Sequence, residues 1–278
     1  MSFASQDNKL AALGKSMIKD TAFERRVFLS LFICMLIAIF LTLPKKTAEE
    51  EEFKPIVFCT LLPSSLQYAA TEDPTKMVGD KNLYWNKKAK LRIYFMNGSP
   101  SVAQEVLKVA NVWSTLSGIE FTQVHNIYEP SEIRISFKCP GYNSLVGRQA
   151  NDPLYARKPT MCLERLDVTR DRQLFERTVL HEFGHVLGFL HELQHPQARI
   201  PWDTAKLYHY YDSVYNWKPD SVDKWVLQLY RNVDYTDFDT SSIMVYAIPE
   251  EVTKGQYAIG WPSKLSFRDS AFVKQKYH

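Results

Sequence analysis

Between Thr178 and Glu192 the chain reads TVLHEFGHVLGFLHE. His181 and His185 are four residues apart, so on a helix both imidazoles lie on one face, one turn apart, where they can grip a single metal ion. Glu182 follows the first histidine, within reach of a water held by that metal. Gly188 then ends the helix, because glycine enters a left-handed turn without steric cost, and the chain can swing back to offer His191 as a third nitrogen ligand. Three nitrogens and one open position make the donor set of a catalytic zinc site rather than a closed structural one. The short pattern H-E-x-x-H arises by chance in on the order of one chain in a hundred. The added glycine and third histidine reduce that by roughly a thousandfold. The competing interpretation is an amphipathic core helix whose histidines are satisfied by hydrogen bonds.

The stretch HEFGHVLGFLHE resembles the extended zinc motif of the metzincin peptidases, and Glu192 after the third histidine makes it most similar to the astacin branch. Downstream, Ser242-Ile243-Met244-Val245-Tyr246 resembles the astacin methionine turn, with valine where the family has histidine. YNSLVGR (Tyr142 to Arg148) and the C-terminal LSFRDSAFVKQKY are weaker similarities, so the resemblance covers Leu83 to His278. It implies a zinc-dependent metalloendopeptidase with one catalytic Zn2+ held by His181, His185 and His191, acting on a protein or peptide substrate. Glu182 would be the general base and Tyr246 a phenol near the zinc that hydrogen-bonds the oxyanion. Met244 would be the apolar floor beneath the ligands, Gly188 the turn residue, and Glu192 the acid that in astacins meets the new N-terminus of the activated enzyme. The substrate would lie extended along a sheet edge, expected near Pro159 to Leu166. Cys139 and Cys162 flank a stretch resembling the region that a disulfide closes in astacins; a bridge between them requires an oxidising compartment. Met77-Val78-Gly79-Asp80 resembles the Phe-x-Gly-Asp of astacin pro-segments, whose aspartate caps the zinc, with methionine replacing phenylalanine. The alternative for Asp80 is an ordinary Gly-Asp turn.

Two non-enzymatic readings stand beside this one. A non-catalytic or latent zinc-binding module on the same fold would ordinarily have lost the base or a ligand, and here all are present. An unrelated scaffold with an accidental motif would bind no stoichiometric zinc. His195 follows the motif closely and has a supporting role as its default, since three ligands suffice. Arg148, Arg177 and Arg199 are candidates for a basic pocket or for plain surface charge.

The elements that must position these residues are legible in outline. KLRIYF (Lys90 to Phe95), IEFTQV (Ile119 to Val124) and EIRISF (Glu132 to Phe137) alternate as strands, and a fourth extended piece is expected within Pro159 to Leu166. Ser99-Pro100 opens a helix with apolar residues at helical spacing from Val102 to Leu116, closed by Gly118. The zinc helix is expected from Thr169 to Leu187. Further helices are expected over Asp203 to Tyr215, Ser221 to Arg231, and Ser266 to Tyr277, the last opened by the capping pair Ser266 and Asp269. The expected fold is α+β and metzincin-like: a small twisted mixed sheet, two long helices and an irregular C-terminal half, preceded by one N-terminal hydrophobic helix.

The whole chain has 278 residues and a formal net charge of +3, too mild a balance to point to nucleic acid. Its four cysteines exclude a disulfide-dense scaffold. Residues 1–26 are a polar tail. Val27 to Leu43 carries no charge and, as a helix, spans roughly 25 Å, the short end for a bilayer. It is read as a transmembrane anchor or uncleaved signal. Cys34 within it is a small apolar residue. The charge bias weakly places the N-terminus in the cytoplasm and the rest outside, as a single-pass membrane protein, with secretion as the alternative. Residues 44–82, with an acidic run and Cys59, are a linker or pro-segment, and 83–278 form the peptidase domain. The oligomeric state is left open.

Overall fold

The computed structural model describes residues 78–278. The polar tail, the apolar segment 27–43, Cys34, Cys59 and most of the expected linker lie outside the described residues. Among the described residues no helix is long and apolar enough to cross a membrane.

Five strands form one mixed sheet: β1 (Lys90–Phe95), β2 (Glu120–Val124), β3 (Ile133–Ser136), β4 (Tyr142–Ser144) and β5 (Met161–Leu163), in the order β2-β1-β3-β5-β4. β1 runs parallel to β2 and β3, and β3 parallel to β5, while β4 pairs antiparallel with β5 through Tyr142↔Leu163 and Ser144↔Met161. The alternation in β1 buries Leu91 and Ile93 against the helical layer. β3 is buried at every position, because a loop covers its outer face. The Arg134 guanidinium donates to the carbonyls of Ser131, Lys158 and Tyr155 in that cover.

The sheet corrects the expected substrate edge. The extended piece within Pro159 to Leu166 is β5, and neighbours on both sides take its backbone groups. The sheet's edges are β2 and β4, and β4, the edge beside β5, has three residues, too few to show alternation.

Helix α1 (Pro100–Ser117) opens on Ser99, whose hydroxyl accepts from Val102 N, and ends at Gly118 with φ 70°. Its buried face of Ala103, Val106, Val109, Ala110 and Trp113 packs on the zinc helix α2 (Arg172–Val186). α2 starts later than Thr169 because Asp171 is its N-cap, accepting from Leu174 N at 2.9 Å, and Leu166–Val168 is already a separate turn. The C-terminal half carries α3 (Thr204–Tyr215), α4 (Pro219–Val222) and α5 (Phe267–Tyr277), with a second apolar cluster around Leu207, Val226, Val245 and Ile248. The helix expected over Ser221 to Arg231 is shorter: after one π-helical turn, Asp223–Leu227, the chain extends. The carbonyls of Lys224 and Gln228 accept from Gln194 Nε2.

The folded body also begins before Leu83. Val78 is fully buried, Gly79 exchanges hydrogen bonds with Asp234 at 2.7 and 2.9 Å, and Leu190 N donates to Val78 O. The expected boundary missed this because the packing partners lie more than a hundred residues downstream.

Candidate active site

α2, which packs against β4, carries His181, Glu182 and His185 on its C-terminal half. After His185 the helix stops: Gly188 takes φ 93°, and Phe189 N closes onto Gly184 O at 3.1 Å. A Cβ on Gly188 would stand 2.7 Å from the Tyr84 ring, so both its conformation and its space demand glycine. The returning chain delivers His191, and one nitrogen from each of the three histidines lies within 4.8 Å of the others.

The ring orientations are fixed from behind. His181 Nδ1 lies 2.8 Å from Ile243 O and His185 Nδ1 lies 2.7 Å from Phe189 O. A carbonyl only accepts, so each Nδ1 carries the proton and each Nε2 presents a lone pair to the centre. His181 Nε2 is buried with no hydrogen-bond partner among the described residues. His185 Nε2 and His191 Nε2 face each other at 3.0 Å, and Tyr246 Oη lies 2.8 Å from the same His191 nitrogen. Converging lone pairs in a buried pocket repel unless a cation stands among them, and three imidazole nitrogens are the donors zinc takes. Burial pushes His181 down to about 4 and holds His185 and His191 well below the usual imidazole range, so all three are neutral at pH 7. Glu182, 2% exposed, sits beside them.

Met244 is fully buried beneath the cluster, its sulfur against Gly184 of α2. Its carbonyl accepts from Glu192 N at 3.0 Å, which ties the methionine turn to the loop that carries His191. Glu192 is buried and its carboxyl is pushed up to about 8 by burial, against the pull of the Asp239 and Val78 N–H groups. Asp239 N reaches Oε1 at 2.9 Å, whereas Oε2 has no partner within hydrogen-bond distance among the described residues. His195 stays outside the cluster: its Nε2–H donates to Thr236 O and its Nδ1 accepts from Gln197 N. Asp80 is also outside it. Its Oδ1 accepts from Asn82 N at 2.8 Å, the geometry of a local turn. Cys139 and Cys162 form a disulfide that joins the end of β3 to β5. Arg148 donates to Asn82 O and Arg199 to nearby carbonyls, while Arg177 lies on α2 one turn before His181.

Several supporting residues have no signal in the sequence. Trp113 Nε1, Trp85 Nε1 and Tyr277 Oη donate to the carbonyls of Leu180, Val186 and Leu187, gripping the C-terminal half of the zinc helix and its cap. Asp269 caps α5, yet the same carboxylate accepts from Ser242 Oγ and Ile243 N at 2.7 and 2.8 Å. The Ser266/Asp269 pattern reveals the cap but not this second task.

No protein-family model and no curated protein matches the chain. Among solved structures, one of myroilysin is 33% identical with a TM-score of 0.68, over 72% of this chain and 98% of that one. A crystal structure of myroilysin gives 33% identity and a TM-score of 0.54, over 73% and 90%. The high choriolytic enzyme 1, a hatching enzyme zinc-protease from Oryzias latipes (Medaka fish), is 16% identical with a TM-score of 0.48, over 75% and 98%. With the HExxHxxGxxH histidines converged on one point and a third of residues shared across nearly all of myroilysin, the chain belongs to the astacin-like metzincins, zinc metalloendopeptidases with one catalytic Zn2+.

Proposed function

We propose that the chain cleaves internal peptide bonds of protein substrates with Glu182 as general base and Tyr246 as a donor to the developing oxyanion. The observation that carries this reading is the juxtaposition of a buried Glu182 with three histidines whose lone pairs converge, and of Tyr246 Oη with the His191 nitrogen at 2.8 Å. Bound zinc supplies Lewis acidity, which makes water a nucleophile near neutral pH and polarises the scissile carbonyl. Glu182 takes the proton from the attacking water and hands it to the leaving amine, so no covalent intermediate with the protein is needed. The Tyr246 hydroxyl, placed beside the His191 nitrogen, donates to the oxyanion as charge develops there. The substrate backbone pairs with β4, whose outer edge takes no strand partner among the described residues.

The test compares wild type with Glu182→Gln and Tyr246→Phe. All three are expected to hold about one zinc per chain. Cleavage of an unstructured protein should fall by about 10²–10⁴ in Glu182→Gln and by roughly tenfold to a hundredfold in Tyr246→Phe. Wild-type cleavage that survives Glu182→Gln would remove the assigned base, and zinc without cleavage in wild type would favour the binding-module reading.

We also place the domain outside the cytoplasm, anchored through the uncharged segment 27–43. The Cys139–Cys162 disulfide supports an oxidising compartment. Protease protection in sealed vesicles tests this: a domain digested from the cytoplasmic side overturns it.

A further inference from the structure

A cavity of about 360 Å³ opens on the face of the sheet that β1 turns away from the helices. Arg92 and Tyr94, which alternate with the buried Leu91 and Ile93, lie on its floor. The loop between β2 and β3 supplies one wall with Ile127 and Glu129, and the loop between β4 and β5 supplies the other with Asp152 and Arg157. One side chain ties the two walls together. Arg134 of β3, 9% exposed, donates to Ser131 O in the first loop and to the carbonyls of Ala150, Tyr155 and Lys158 in the second. The cavity is therefore preformed, and its volume falls in the ordinary range for a small-ligand site.

Two of its cations are spent: Arg92 pairs with Glu132, and Arg134 holds the loops. Arg157, Glu129 and Asp152 make no ion pair among the described residues. Each of the two carboxylates gives one oxygen to a local N–H, of Asn126 and of Leu154 respectively. Charges of both signs thus face one cavity without a charged partner. The rim is apolar. Seven large apolar side chains are exposed among the described residues, and three of them stand on these two loops: Ile127 at 45%, Tyr128 at 80% and Leu154 at 71%.

A soluble ligand in the cavity would leave that rim in water. A bilayer surface accepts both parts. Apolar tips and an amphipathic tyrosine enter the interface, while a headgroup enters the cavity. A phosphate suits the Arg157 guanidinium, and an ammonium suits the carboxylates of Glu129 and Asp152. A purely anionic headgroup would set its charge against those two carboxylates. The chain itself brings a bilayer within reach: 34 residues, at most about 120 Å when extended, separate Leu43 at the end of the uncharged segment from Val78.

We infer that the two loops over the outer sheet face form a membrane-docking surface, which seats the headgroup of a zwitterionic phospholipid between Arg157 and the carboxylates of Glu129 and Asp152. This surface shares no residue with the zinc centre and does not rest on the peptidase reading.

The experiment follows amide hydrogen exchange of the full zinc-loaded chain in bilayer discs and in uncharged maltoside micelles. In phosphatidylcholine discs, residues 125–131 and 151–158 are expected to exchange about tenfold more slowly than in micelles, while the exposed segments around Val168 and Phe267 exchange alike in both. Arg157→Glu should abolish the slowing, and Leu154→Ser should reduce it by about threefold or more. Zinc content and melting temperature of both variants report that the fold is intact. No slowing in phosphatidylcholine, equal slowing in discs of an uncharged glycolipid, stronger slowing in phosphatidylglycerol, or slowing that survives Arg157→Glu overturns the inference. Equal slowing by soluble glycerophosphocholine in micelles would assign the cavity to a free zwitterion and overturn the docking surface. Slowing by an unstructured protein in place of lipid would assign it to a polypeptide, with the same result.

Discussion

The sulfur of Met244 presses so closely on Gly184 that a methyl group added to the glycine would stand 2.4 Å from it. The zinc helix and the methionine turn therefore meet with no spare volume, directly beneath the histidines. Gly184→Ala must displace the turn or bend the helix, at a cost of about 1–3 kcal/mol despite alanine's better helix propensity. Urea unfolding of the zinc-loaded protein measures this. An unchanged or higher midpoint would show that Met244 repacks freely.

Asp269 joins the last helix to the methionine turn. Asp269→Ala leaves Ile243 N, Ser266 N and Ser242 Oγ without their shared acceptor, for an expected loss of about 3–5 kcal/mol. Asp269→Asn keeps an acceptor and should lose less. Because Ile243 O orients His181, zinc affinity should fall as well, by about tenfold to a hundredfold in the alanine variant. Competition with a chelator reads the affinity, and unfolding reads the stability. Equal effects of the two substitutions would count against the carboxylate's role as acceptor.

His195 predicts an acid limit. Both its ring nitrogens are satisfied only in the neutral form, and burial pushes it down to about 4 from an ordinary 6.5. The unfolded chain then binds more protons between pH 6.5 and 4. Its stabilising contribution is complete above 6.5 and is lost as the pH falls through that window, amounting to about 1–3 kcal/mol. Acid also releases zinc from the other histidines, so the comparison is between wild type and His195→Gln, each measured at pH 7 and pH 5. The variant should show the smaller decline; parallel declines would remove His195 from the account.

The Cys139–Cys162 bridge spans 23 residues, and opening it in a double Cys→Ser variant should cost about 3 kcal/mol by loop entropy. The loss should appear as faster unfolding and in the pairing of β3 with β5, with zinc binding retained. Zinc loss at unchanged stability would contradict a purely scaffolding bridge.

The centre was legible where chemistry and local geometry coincide. His181, Glu182, His185 and Gly188 form one helix and its cap, and three- and four-residue spacings carry that information. Strands β1 and β2 showed themselves by alternation. The edge at β4 did not, because β4 has three residues and its identity depends on which strand neighbours β5. The placing of Trp261 over Arg177 closes a gap of 84 residues between the zinc helix and a loop beyond the methionine turn, and no pattern in either segment announces the other. The same holds for Trp85, Trp113 and Tyr277, which read as ordinary core aromatics until their donors meet the zinc helix. Asp80 shows the opposite case: its motif resembled a zinc cap, and its carboxylate is engaged with Asn82.

The cap of α5 also has a consequence in time. Asp269 lies behind every zinc ligand along the chain, yet Ile243, whose carbonyl holds His181, is fixed by that aspartate, and Tyr277 grips Leu187 from the far end of the same helix. During synthesis all three histidines leave the ribosome before the residues that lock them into place. A ribosome stalled before Ser266 would display the complete metal-binding sequence with its ring orientations still unset. The ring orientation at the centre is thus set only once α5 has docked against the methionine turn and the end of the zinc helix.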